Sequence, residues 1–100
     1  MALAPFDIST LITSKSDVQG GRPCLAGTRI TVHSIAAASV EGLSVDEMVE
    51  RTHVDAAHVH AALAYYFANQ AAIDADLAAD NALYSELASK HRSGIRGREF

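Results

Sequence analysis

The residues of this 100-residue chain that could do bond-making or metal chemistry are five histidines, one cysteine and a scatter of carboxylates. His58 and His60 stand two apart, so on a helix they point in different directions. A helical metal pair needs i, i+3 or i, i+4 spacing, as in H-E-x-x-H. His53 can approach His58 across a helix start, but the sequence places no third ligand beside them. The histidines therefore read as solvated groups around a helix N-terminus. Cys24 lacks a CxxC partner and reads as a small hydrophobe in a strand, buried or half-buried. Glu41, Asp46, Glu47, Glu50, Asp74, Asp76 and Asp80 read as a solvated helix surface, with Asp46 and Glu47 also favoured at the positive end of their helix. No Ser/His/Asp arrangement stands out. The expectation is a non-enzymatic protein with no cofactor and no metal.

The stretch GGRPCLAGTRITV, residues 20–32, raises a second chemistry, phosphate cradling. A nucleotide loop needs its glycines directly before a helix N-terminus, as in G-x-x-x-x-G-K-[ST] or G-x-G-x-x-G. Here a strand-like RITV intervenes and no Gly-Lys-Ser/Thr follows. The stretch reads instead as a hairpin. Residues 23–26 and 29–32 are its strands and Ala26-Gly27-Thr28 its turn, with Gly27 free to take positive φ.

Composition points to surfaces rather than catalysis. The net charge of −4 is uneven: +1 over residues 1–33, −8 over 34–89 and +3 over 90–100. An acidic middle is unlike a general nucleic-acid surface, and the short basic tail is a candidate contact segment. Nearly half the residues are hydrophobic, but many are alanine, and tryptophan is absent. The core must be thin, and a second subunit would help a domain of this size, so a homo-oligomer is expected. There is no run of about 18 apolar residues that would span a membrane, and residues 1–10 lack the pattern of a signal peptide. A single cysteine forms no internal disulfide and suits a reducing, cytoplasmic setting.

The elements that must position any site follow from spacing. Residues 1–10 read as a flexible start and 11–13 as a short strand. Val32, Ile35, Ala36, Val40 and Leu43 follow helical spacing, with Gly42 closing that helix. Ser44 and Glu47 form a capping box, with Leu43 and Met48 as its hydrophobic staple, opening a helix over 45–51. Thr52-His53-Val54 is a break and Asp55 an N-cap. Val54 and Val59 make a second staple, and Val59, Leu63, Tyr66 and Phe67 an apolar stripe. Three short helices with a tight turn between the second and third have the shape of a helix-turn-helix core. Beyond Phe67 the helical pattern continues through Ile73, Leu77, Tyr84, Leu87 and His91. One helix from 55 to 91 would be about 55 Å long at about 1.5 Å per residue, too long to bury in so small a domain. It either breaks near Asn69-Gln70 or projects. Residues 93–100 read as a loose tail. The parts are thus residues 1–10, a hairpin plus core over 11–69, and an amphipathic helix with basic tail over 70–100.

GGRPCLAGTRITV, EGLSVDEM and HAALAYYFAN, taken together, resemble the hallmarks of the DUF433 family over roughly residues 8–80. The chain departs from the family pattern at Thr52-His53, where members tend to carry Tyr-Pro. The resemblance implies a mostly α fold: a small N-terminal β-hairpin, a three-helix helix-turn-helix core of homeodomain-like or winged-helix-like character, and a C-terminal helix. It also implies the role of a VapB-type antitoxin paired with a PIN-like ribonuclease toxin.

Two kinds of contact residue follow. For operator DNA, Lys15, Arg22, Arg29 and Arg51 are the phosphate candidates, while the third helix offers Ala57, His58, His60 and Ala61 to bases. None of these four is the Arg or Lys that guanine readout favours. For a protein partner, Ile73, Leu77, Tyr84 and Leu87 form an apolar stripe that could enter a groove. Equally, that stripe could fold back on its own core or pair with a second copy. Arg92, Arg96 and Arg98 could neutralise the carboxylates of a nuclease site. The leading expectation is an antitoxin that also autoregulates by binding DNA. The alternatives are a homodimeric helix-turn-helix regulator without a toxin and, more distantly, a small enzyme.

Overall fold

The computed structural model describes the backbone of residues 7–98 and the side chains of residues 7–90. It is mostly helical, with a two-stranded antiparallel sheet near the N-terminus. The strands are β1 (Ile12–Thr13) and β2 (Cys24–Leu25), and the helices are α1 (Val32–Val40), α2 (Val45–Thr52), α3 (Ala56–Ala68) and α4 (Gln70–Arg98). The chain divides into two compact units, residues 1–70 and 71–100.

In the first unit β1 pairs with β2 so that Ile12 faces Leu25 and Thr13 faces Cys24. The expected turn at 26–28 closes behind β2. Gly27 has φ +77°, Thr28 N–H donates to the Leu25 carbonyl at 3.0 Å, and Leu25 N–H donates to the Ile30 carbonyl at 2.8 Å. The expected second strand over 29–32 does not form a ladder; Thr31 makes only a single bridge to Cys24. The reason is local. Thr31 is the N-cap of α1, its side chain accepts from the Ser34 N–H at 3.0 Å, and Val32 is already helical. Ile8–Leu11 is a 3₁₀ turn, capped by the Asp7 side chain, which accepts from Ser9 N–H at 3.0 Å. Residues 1–6 lie outside the described residues.

The helix boundaries follow the capping chemistry. α1 ends before Gly42, whose φ is +98°, a left-handed value that glycine adopts without a Cβ clash. Ser44 and Glu47 form the full capping box: Glu47 N–H donates to Ser44 Oγ at 3.1 Å and Ser44 N–H to Glu47 Oε1 at 2.9 Å. The Ser44 N–H bond, with a smaller contribution from the Ser44 hydroxyl, holds the Glu47 carboxyl below its ordinary value. α2 is closed by His53 in the left-handed region, φ 60° and ψ 30°. Asp55 occupies the N-cap position of α3, but its side chain makes no cap hydrogen bond.

α3 is the centre of this unit. It packs against α1, α2, β2 and the 3₁₀ turn. Leu25, Val32, Ile35, Ala36, Met48, Val59, Ala61, Ala62 and Tyr66 are buried here. Three of these nine are alanines, so the core is as thin as the composition implies, and each large side chain in it matters more. Val40 and Phe67, both on expected apolar stripes, are exposed. Tyr66 and Phe67 rings lie 5.1 Å apart at 42°.

Between α3 and α4 the helix breaks at Asn69, with φ −131° and ψ 32°. Asn69 stops the ladder by bonding back: its N–H donates to Tyr65 and Tyr66 carbonyls and its Nδ2 to the Tyr65 carbonyl. The second unit is α4, 29 residues and about 44 Å long at about 1.5 Å per residue. It runs through Gly94 and Gly97 to Arg98, where a loose tail was expected from residue 93. Among the described residues no helix is long and apolar enough to cross a membrane.

Candidate functional site

The apolar stripe of α4 is the first candidate surface. Leu77, Tyr84 and Leu87 step by seven and three residues, so they lie near one face of the helix. Tyr84 is 75% exposed and Leu87 56%, and Leu77 is half-buried. Leu83, four residues before Leu87, is 58% exposed and widens the patch. The sequence reading passed over Leu83, although its i, i+4 spacing to Leu87 was the available signal. Ile73 corrects the expectation of a stripe open along its whole length. At 3% exposure it is part of the buried structure and offers nothing to a partner. Downstream, Glu86 and Lys90 form an exposed i, i+4 ion pair at 3.2 Å, contributing at most a few tenths of a kcal/mol to the helix. The side chains of Arg92, Arg96 and Arg98 lie outside the described residues.

The turn between α2 and α3 is the second. Arg51, in the last turn of α2, and His60, in the second turn of α3, are exposed. His58 is not the exposed base-reading group expected. It is half-buried, and its Nδ1 is buried without a hydrogen-bond partner. Ala61 is buried in the core, which removes it from the same list. His33, expected to be solvated, is buried too. α3 thus presents Ala57 and His60 from the expected set, and no cation.

The hairpin holds the remaining cations. Arg22 is half-buried and engaged within the fold. Arg29 is exposed on the turn after β2 and shares an open pocket of about 370 Å³ with Lys15, Thr13 and Thr28. Cys24 forms part of the pocket wall; it is buried, as its residue type suggested, and its thiol donates to the Arg22 carbonyl at 3.5 Å. A second, more apolar groove of about 460 Å³ runs between the 3₁₀ turn, β1 and α3, lined by Ile8, Ile12, Ala61, Ala64 and Tyr65. No sequence signal pointed to either hollow, since each is assembled by tertiary packing. Among the described residues no group of three or more His, Cys, Asp or Glu could hold a metal ion.

Comparison with known proteins places this arrangement in a family. A crystal structure of a DUF433 member protein from Anabaena variabilis ATCC 29413 superposes with a TM-score of 0.65 at 28% identity, covering 71% of each chain. The uncharacterized protein y4eO of Sinorhizobium fredii is 38% identical over 60 residues, which is 59% of this chain. The matched stretch spans only 27% of that relative's length. The family model described as "Protein of unknown function (DUF433)" matches residues 12–66, from β1 to the buried Tyr66 of α3. The matched segment is therefore the hairpin and three-helix core just described, and the chain belongs to the DUF433 family.

Proposed function

We propose that the protein is a non-enzymatic, cytoplasmic antitoxin that binds and inhibits a PIN-like ribonuclease through residues 70–100. The observation that carries the reading is the apolar patch of Leu83, Tyr84 and Leu87, three large side chains left in water on one helix. Contiguous exposed apolar surface rimmed by polar groups marks interaction sites. An amphipathic helix docks by laying such a face in a groove, with anchors at i, i+3, i+4 and i+7. The choice of a PIN-like partner rests on the resemblance to antitoxin-type members of the family. The excess of positive charge at residues 90–100 suits a nuclease whose metal-binding carboxylates make a negative pocket. Arg92, Arg96 and Arg98 are the residues to enter it.

The test is coexpression with the nuclease encoded by the neighbouring reading frame. The reading expects a stable complex and loss of RNA cleavage in it; a nuclease that stays active and separates from the chain contradicts it. Replacing Arg92, Arg96 and Arg98 together with alanine should relieve inhibition, and unchanged inhibition would remove them from the account.

A second reading, a homodimeric helix-turn-helix regulator that binds DNA without a toxin, is favoured by one feature. α2 and α3 are joined by the three residues His53, Val54 and Asp55, the turn length of such motifs. With Arg51 the exposed cation at that turn, binding would rely on phosphate contacts and weaken steeply with salt.

A further inference from the structure

The pocket beside the hairpin gathers Lys15 and Arg29, two cations that belong neither to the α2–α3 turn nor to α4. Lys15 leaves the end of β1, and Arg29 stands on the turn after β2. Antiparallel pairing of Thr13 with Cys24 brings these two sequence-distant segments to one hollow. Neither cationic side chain forms an ion pair or hydrogen bond with another described residue. Among the described residues no carboxylate lines the pocket, in a chain whose net charge is −4. Two like charges facing one concavity without an acid between them create a local positive potential that an anion relieves.

The support around Arg29 is built rather than loose. Thr28 Oγ1 donates to the Leu25 carbonyl at 2.9 Å and accepts from Ile30 N–H at 3.0 Å. The turn that carries Arg29 is thereby pinned on both sides, which lowers the ordering cost of binding. Val18 and Cys24 supply an apolar wall, where charge-assisted hydrogen bonds are stronger than in open water. An arginine fork beside a lysine point charge, with the Thr13 hydroxyl at the rim, is the donor set that suits a tetrahedral oxyanion. At about 370 Å³ the pocket has room for more than the oxyanion alone.

We propose that the pocket formed by Thr13, Lys15, Thr28 and Arg29 binds a phosphate group, carried by a small phosphomonoester or by a nucleic-acid backbone. This stands apart from toxin binding by α4 and does not rest on it. The test is titration of the full chain with inorganic phosphate, at ionic strength held constant with chloride, followed by amide ¹H–¹⁵N spectra. Saturable shifts are expected at Thr13, Lys15, Thr28 and Arg29. Arg29→Gln should raise the half-saturation point about tenfold, the usual effect of losing one charge-assisted bond. Glu50→Gln, which removes an exposed charge outside the pocket, should leave it unchanged. A well-dispersed spectrum of each variant verifies its fold. A second arm adds a short DNA duplex. Displacement of phosphate from these amides assigns the group to a nucleic-acid backbone, whereas retention assigns it to a free phosphomonoester; both uphold the pocket. Shifts that fail to saturate, or that are equal in wild type and Arg29→Gln, overturn it.

Discussion

Replacing Tyr84 and Leu87 with alanine separates a docking surface from a structural one. Tyr84 is 75% exposed and Leu87 56%, so neither contributes much to the fold of the lone chain. Alanine is the better helix former at both positions. The double variant should therefore melt within about 2 °C of the parent, as surface substitutions do. Affinity for the nuclease should behave differently. Full burial of a leucine is worth about 1.5–3 kcal/mol, and roughly half of that is still available to Leu87. A tyrosine that buries most of its ring, discounted for its hydroxyl and for ordering, adds about 2 kcal/mol. The sum, about 3 kcal/mol, is a loss of about 150-fold in Kd. Isothermal titration calorimetry with the purified nuclease reads it directly. Ile73→Ala is the contrasting control: at 3% exposure it should cost about 2–5 kcal/mol of stability. A double variant that loses several degrees would show that Tyr84 and Leu87 are already packed, for example against a second copy. One that melts normally and still binds normally would refute the docking surface itself.

Three further outcomes test the local physics. Ser44→Ala removes the N-cap acceptor of α2 and should cost about 1 kcal/mol, a fall in Tm of roughly 4–8 °C by differential scanning calorimetry. His53→Gly should raise stability by about 0.5–1 kcal/mol in denaturant melts, because His53 holds φ 60°, a conformation that glycine adopts without Cβ strain. Acidification should loosen the start of α2. The Glu47 carboxyl titrates lower in the folded chain than in the unfolded one, so its contribution is complete above the unfolded value and is lost as pH falls through the folded one. The Ser44 and Glu47 amides, followed by NMR below about pH 4.3, should shift together as the box opens; in Glu47→Gln that acid transition should vanish.

What the sequence made legible was whatever two or three neighbouring residues decide between themselves. The capping box at Ser44 and Glu47 is a pair of i, i+3 hydrogen bonds, and the 26–28 turn depends chiefly on Gly27. Both could be read without knowing the fold. The strand expected at 29–32 failed because Thr31 satisfies two patterns at once, β-branched strand former and helix N-cap, and the cap prevailed. The pairing of β1 with β2 spans the loop between Thr13 and Cys24, and no local residue announces it. The same limit applies to the surfaces. Spacing placed Ile73, Leu77, Tyr84 and Leu87 on one stripe, yet periodicity is identical for a covered and an uncovered residue. Only burial distinguishes Ile73 from Tyr84. His58 looked like a solvent-facing neighbour of His60 because helical geometry fixes direction without saying what lies in that direction. The phosphate pocket joins Lys15 to Arg29 across fourteen positions, a distance over which charge patterning carries no signal.

The central claim is that α4 presents a surface that another protein completes. Hydrogen exchange at the amides of residues 83–87, measured on the chain alone and then with the nuclease, tests it most directly. The account predicts rapid exchange in the free chain, independent of its concentration, and strong protection in the complex. Amides already protected to the level of the Val59 core in the free chain, and unchanged when the nuclease is added, would contradict it.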